Sequence, residues 1–187
     1  MGQDYQALIN DCISGDQLAQ KKLYNRFSPG MYGVCLMYSR DTEEAKDILQ
    51  DGFIKIFQKL DQFSGKGSFE GWMRRIFINS ALEKFRVKKA ILLVDEDMEI
   101  LAGEVDDKII DLLSAKDLLQ MIQELSPQYR MVFNLYAIEG YSHKEISLKL
   151  NISEGTSKSN LSRARGILQE KVINLRRKES GDKYNAI

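Results

Sequence analysis

Cysteine, histidine and proline are scarce in this chain of 187 residues, and no long apolar run occurs. Cys12 and Cys35 stand apart and His143 is the only histidine, which leaves no zinc cluster, no CxxC pair and no Cys/His catalytic couple. Both thiols read as packed side chains, because a free cysteine behaves as a small hydrophobe. No segment approaches the roughly 20 apolar residues that span a bilayer. The amino terminus, MGQDYQALINDC, has no basic stretch followed by an apolar one. The expectation is a cytoplasmic chain, not inserted in a membrane, with no cofactor. Two prolines and a wealth of Leu, Ile, Lys, Glu, Gln and Met favour helix over sheet, since unbranched side chains lose little rotamer freedom in a helix. An all-α fold is expected, and the length suits two compact units.

Net charge is also absent, because 27 Lys/Arg balance 27 Asp/Glu. The balance hides segregation. Residues 66–89 hold seven Lys/Arg against two acids, net +5, and residues 142–178 hold nine against three, net +6. Residues 95–117 between them hold nine acids against two lysines, net −7. Attraction to phosphate follows local fields, so two basic patches can bind nucleic acid on a neutral chain. Charge alone leaves open that these are solvated helix faces.

Ser28-Pro29-Gly30 reads as a turn between one amphipathic stretch (Leu8 to Phe27) and the next (Met31 to Tyr38). Asp41, with Glu44 three residues on, has the spacing of a capping box and starts a helix. Its apolar stripe runs through Ala45, Ile48, Leu49, Gly52, Phe53, Ile56, Phe57 and Leu60. Asp47, Gln50, Asp51, Ile54 and Lys55 lie opposite, free to meet another protein. A flexible SGKGS loop over Ser64–Ser68 precedes a helix carrying Phe69, Trp72, Met73, Ile76 and Phe77 inward, with Arg74, Arg75, Asn79, Glu83, Lys84 and Arg86 around it. Signals weaken from Lys88 to about Ser114, which reads as a linker. Further on, Ser126-Pro127 can start a helix, Gly140 can end it, Ser142 can cap the next, Asn151-Ile152-Ser153 can turn the chain and Ser153 can cap the last. The expected division is 1–90, an acidic linker 91–113, 114–178 and a tail 179–187.

Helix, three-residue turn and helix across Ser142–Val172 have helix-turn-helix spacing. Leu161, Ala164 and Leu168 define the inner side of the second helix. At 100° per residue Thr156, Ser159, Ser162 and Arg163 face away, with Lys158 and Asn160 flanking. Such side chains suit the major groove, where Arg can bond guanine and Asn adenine while Ser and Lys hold phosphates. A helical hairpin that does not touch DNA has the same spacing.

The segments DILQDGFIKIFQKLDQF, SFEGWMRRIFINSA, LSPQYRMVFNLYAIEGYSHKEIS and ISEGTSKSNLSRAR resemble, in order and separation, the promoter-binding segments of extracytoplasmic-function sigma factors of the sigma-70 family. The resemblance covers most of residues 8–175. It implies a sigma region 2 that binds the minus-10 element and the polymerase clamp, and a sigma region 4 that binds the minus-35 element and the polymerase flap. It also implies a linker threaded toward the RNA exit path, where acidic residues would hold a basic channel open. The expected partners are RNA polymerase core, promoter DNA and an anti-sigma factor. Carried over, the resemblance places Asp47, Gln50, Asp51 and Phe53 on the clamp-binding helix, although the apolar stripe makes Phe53 core. Ser64, Lys66 and Ser68 fall in the loop that captures a flipped minus-10 base. Trp72, Arg74, Arg75 and Asn79 follow on the minus-10 helix, Trp72 also reading as core. Thr156, Lys158, Ser159, Asn160, Ser162 and Arg163 fall on the minus-35 helix.

Two residues depart from the pattern. Glu83 stands where a neutral or basic side chain suits DNA better, and Ser157 stands where a buried aliphatic is usual, so its hydroxyl needs a partner such as the Ser153 carbonyl. A helix-turn-helix regulator acting without polymerase is the alternative within DNA binding, and it leaves the helix over 42–60 and the basic 66–89 segment unexplained. An enzyme would need an acid/base pair, and the adjacent Asp106 and Asp107 sit in the acidic linker with no histidine nearby in sequence. A helical adaptor for other proteins is the third reading.

Overall fold

A computed structural model of the chain describes residues 5–92 and 114–182. These residues form helices in two compact units, Met1–Lys88 and Lys89–Ile187. The first holds α1 (Gln6–Ile13), α2 (Gln17–Tyr38), α3 (Thr42–Lys59), a single 3-10 turn (Leu60–Gln62) and α4 (Phe69–Leu92) as far as Lys88. The second holds α5 (Ala115–Gln123), α6 (Pro127–Phe133), a π turn (Asn134–Ile138), α7 (His143–Leu150) and α8 (Glu154–Asp182). Helix α4 continues two residues into the expected linker, and the acidic stretch beyond it lies outside the described residues, as do residues 183–187 of the expected tail. Residues 179–182 of that tail belong to α8.

The turn expected at Ser28-Pro29-Gly30 is not formed, and α2 runs unbroken through Pro29. Proline at a helix interior costs about 3 kcal/mol through its missing N–H and its clash with the preceding turn. Leu23, Phe27, Met31, Val34 and Tyr38 form one stripe across that point, and all are buried. Each contributes about 1.5–3 kcal/mol when removed from water, so continuing the stripe outweighs the proline. Asp16 caps the start of α2 by accepting from the Leu18 and Ala19 N–H groups at 2.8 and 3.3 Å.

Helix α3 begins as the spacing predicts. Asp41 Oδ1 accepts from the Glu44 N–H at 2.8 Å, while Glu44 Oε2 accepts from the Arg40 N–H at 2.7 Å. The Glu44 N–H and the Arg40 guanidinium together hold the Asp41 carboxyl below its ordinary pKa. The α3 stripe and the inner face of α4 meet in a core of Phe53, Ile56, Met73, Phe77 and Leu82. Gly52 lies against Phe77, and a β-carbon there would stand 2.1 Å from Cε1 of its ring. Cys12 and Cys35 are free and buried in this unit. Burial pushes the Cys35 thiol up to about 12, and burial with the neighbouring Asp11 and Asp16 raises Cys12.

In the second unit the expected caps are in place. Ser126 accepts from the Tyr129 N–H, Ser142 and Glu145 form a complete capping box, and Ser153 accepts from the Thr156 N–H at 2.9 Å. Gly140 takes φ +74° and Asn151 φ +52°, the left-handed conformations that let the chain leave α6 and α7. The π turn was not foreseen. Its bond runs from the Glu139 N–H to the Asn134 carbonyl at 3.0 Å, one residue wider than an α-helix. Arg130 is buried, and its Nη1 donates to the Gln123 carbonyl at the end of α5 at 2.7 Å. A cation there satisfies a carbonyl that the helix leaves open and complements the helix dipole.

Candidate nucleic-acid interface

Helix α4 turns one polar stripe to solvent. At 100° per residue Trp72, Arg75, Asn79, Glu83 and Arg86 fall within an arc of about 80°, and Arg75, Asn79, Glu83 and Arg86 are exposed. Trp72 is half-buried, stacked on Phe69 with ring centres 5.6 Å apart and tilted against Phe63 at the same distance. Phe63 packs edge-on to Phe69 at 5.0 Å. The three rings form a base for the loop between them, so Trp72 is both packed and open on one side. In that loop Ser64, Lys66 and Ser68 are exposed. Gly65 and Gly67 adopt positive φ, 71° and 84°, which an L side chain rarely tolerates. Ser68 also caps α4 by accepting from the Gly71 N–H at 3.3 Å. Arg74 is half-buried on the flank.

Glu83, which stood out in sequence, has a partner. Its carboxylate pairs with Lys55 of α3, whose Nζ also reaches the buried Ser80 hydroxyl at 3.2 Å. The negative charge on the polar stripe is thereby offset locally.

Asp47 and Gln50 are exposed and Asp51 is half-exposed on α3. The two acids are not free, because Lys84 of α4 lies 3.5 Å from Asp47 and 3.2 Å from Asp51. Such pairs are solvent-screened and worth about 0–1 kcal/mol, so a stronger cation can displace Lys84. On the helical wheel Lys84 stands opposite Arg75, away from the polar stripe. Phe53 is 3% exposed, between Tyr24 at 4.6 Å and Phe77 at 5.3 Å. Its placement among surface contacts is corrected to core.

On α8 the exposed side carries Lys158 and Ser159, with Thr156, Ser162 and Arg163 half-exposed beside them. The Thr156 hydroxyl meets that of Ser153 at 2.9 Å, and Ser159 Oγ donates to the Thr156 carbonyl at 3.0 Å. Asn160 departs from expectation. It is 4% exposed and its amide nitrogen has no hydrogen-bond partner. The buried side of α8 therefore extends past the flank that Leu161, Ala164 and Leu168 define. An amide held there does not reach a DNA groove.

Ser157 is 0% exposed, and its side-chain partner is not the Ser153 carbonyl but His143, whose Nδ1 lies 2.9 Å from Ser157 Oγ. The imidazole stacks on Tyr136 at 4.6 Å and 22°, and the Arg165 guanidinium sits over the same tyrosine at 5.8 Å. Desolvation lowers the His143 pKa from 6.5, Lys158 and Arg165 lower it further, and Glu154 opposes them. The unfolded chain therefore binds the proton more readily. This contribution to stability is fully present above pH 6.5 and is lost as the pH falls through the lower folded value. Hydrogen exchange of the α7 and α8 amides in the full chain is expected to quicken between about pH 7 and about pH 5 more in the parent than in His143→Phe, after correction for the intrinsic rates. Equal changes would assign the acid sensitivity to other groups.

Among the described residues no helix is long and apolar enough to cross a membrane. Residues 23–91 match the family model of sigma-70 region 2, and residues 115–168 match that of sigma-70, region 4. The ECF RNA polymerase sigma factor SigW of Bacillus subtilis is 29% identical over 179 residues, covering 89% of this chain and 96% of that protein. The RNA polymerase sigma-H factor of Pseudomonas aeruginosa is 28% identical over 174 residues, covering 86% and 89%. The ECF RNA polymerase sigma-E factor of Haemophilus influenzae is 26% identical over 180 residues, covering 89% and 94%. The sigma factor RpoE of Bartonella quintana, solved with the anti-sigma factor NepR, aligns at 23% identity over 81% of this chain and 95% of that one, with a TM-score of 0.48. With both regions present in order and full-length relatives of one kind, the chain belongs to the sigma-70 family as an extracytoplasmic-function sigma factor.

Proposed function

We propose that the two units divide the work of a sigma factor between two polar helix faces, one on α4 and one on α8. The chain directs RNA polymerase to promoters and is not an enzyme. In our reading the first unit holds the minus-10 element. Lys66, Arg74 and Arg75 attract its phosphates, Ser64 and Ser68 offer hydroxyls to an extruded base, and Asn79 lies where strands part. Trp72 can stack on a base through its open face. In the second unit Arg163 reads a base edge at the minus-35 element, while Thr156, Lys158, Ser159 and Ser162 hold the backbone. Asp47, Gln50 and Asp51 meet the polymerase, and a cationic group of the enzyme takes the place of Lys84. We propose residues 93–113 as the linker, with its acidic charge acting during initiation, and the cytoplasm as the site of action. An anti-sigma factor is proposed as a further partner.

The observation that carries this reading is the pairing of an acidic face on α3 with a basic, polar face on α4. A regulator that binds operators alone has no use for the first of these and is not favoured. Run-off transcription with purified core polymerase tests it. The chain is expected to direct transcription from a promoter that core enzyme alone does not use. Asp47→Arg with Gln50→Ala is expected to weaken core binding about tenfold or more, the usual size of effect when a charge is reversed in an interface, with circular dichroism unchanged. Unaltered affinity for core would remove that face from the interface.

A further inference from the structure

A hydroxyl with no exposed surface sits in the first turns of α8, beside the residues that face outward. Ser157 occupies a position whose neighbours along the buried stripe, Leu161, Ala164 and Leu168, are apolar. A buried hydroxyl without a partner is costly, and one with a directional partner fixes orientation in a way that an aliphatic contact does not. The partner is His143, the first residue of α7, at 2.9 Å. The histidine is itself held. Its ring stacks on Tyr136 from the π turn, and the preceding residue, Ser142, is locked by its capping box with Glu145. Ser153 caps α8 one turn before Ser157. The starts of both helices are thus fixed and joined by a side-chain hydrogen bond.

We propose that His143 is a positioning residue for promoter reading, which through Ser157 sets the rotation and register of α8 and hence the aim of Arg163 and Ser159 at the minus-35 element. The inference rests on the minus-35 reading above. Base discrimination needs a side chain placed to within a fraction of an ångström, whereas attraction to phosphate does not. A loosened helix therefore loses discrimination before it loses affinity for DNA in general.

The test uses holoenzyme assembled from the full chain and core polymerase, with promoter fragments whose minus-35 element is intact or scrambled. The readout is the ratio of the two affinities. His143→Phe keeps a ring on Tyr136 and removes the hydrogen bond, and it is expected to lower the ratio about five- to tenfold, the effect of one neutral buried hydrogen bond. Ser157→Ala, which shortens one small side chain, is expected to lower it similarly. His143→Asn, whose amide can occupy the place of Nδ1, is expected to restore most of the ratio. In a Ser157→Ala background His143→Phe is expected to add little. An unchanged ratio in both single variants would overturn the proposal. So would equal losses on intact and scrambled DNA, which indicate a phosphate contact or general loosening. If His143→Phe fails to fold, Ser157→Ala decides by the same two outcomes. A parent holoenzyme that does not distinguish the two fragments would sink the minus-35 reading, and the proposal with it. A ratio lost in Arg163→Ala but kept in both His143→Phe and Ser157→Ala would sink the positioning role alone.

Discussion

Replacing Gly52 by alanine is expected to destabilise the first unit by about 1–3 kcal/mol, the cost of overpacking a filled core. On an exposed helix the same change is normally favourable by about 0.5–1 kcal/mol, because alanine loses less backbone freedom on folding than glycine. The sign reverses at Gly52 because the added carbon would lie 2.1 and 2.3 Å from two ring atoms of Phe77. Phe77 is fully buried and cannot swing aside. Gly33 on α2 provides the control, since a β-carbon there meets nothing within 4 Å. Gly33→Ala is expected to raise stability by about 0.5–1 kcal/mol. Denaturant unfolding followed by the fluorescence of Trp72, the only tryptophan, reports on this unit. Similar midpoints for the two variants would mean that α3 and α4 part to admit a methyl group at little cost.

Arg163→Ala is expected to weaken binding to a promoter with an intact minus-35 element by about 1–3 kcal/mol, or about 10- to 100-fold, if the guanidinium bonds a base edge bidentately. Lys158→Ala, at an exposed position one turn from the start of α8, should weaken binding to all sequences alike and flatten the salt dependence. Asn160→Ala is expected to leave discrimination intact and to change stability by no more than about 1 kcal/mol, since the amide nitrogen it removes has no partner. Holoenzyme binding across a set of minus-35 variants separates the three. Exchanged behaviour of Arg163 and Lys158 would reverse which one reads and which one anchors, and a specific loss in Asn160→Ala would show that α8 turns on binding.

The helices were legible in sequence because their signals are local. The capping pairs Asp41/Glu44 and Ser142/Glu145, the left-handed Gly140 and Asn151 and the three-and-four spacing of apolar residues all act within a few positions. What was missed depends on neighbours far along the chain. Pro29 marks a turn by local preference, and the continuous stripe from Leu23 to Tyr38 overrides it. Asn160 lies at the border of a helical wheel, and the packing of other elements on α8 decides its burial. The partners of Ser157, Glu83 and Asp47 are contributed by other helices, and no local rule names them. The family motifs located the candidate faces, whereas the ion pair between Lys84 and Asp51 belongs to the three-dimensional packing of α3 on α4.

Both cysteines lie in the first unit and none in the second, so a thiol reagent senses only half of the molecule. Cys35 is 1% exposed with its pKa pushed up to about 12, and it is neither accessible nor ionised while the helices stay packed. Alkylation must then wait for an opening, and its rate, set against that of a free thiol, gives the frequency with which the first unit breathes. The same measurement in the presence of core polymerase or of an inhibitor reports whether that partner clamps the first unit shut.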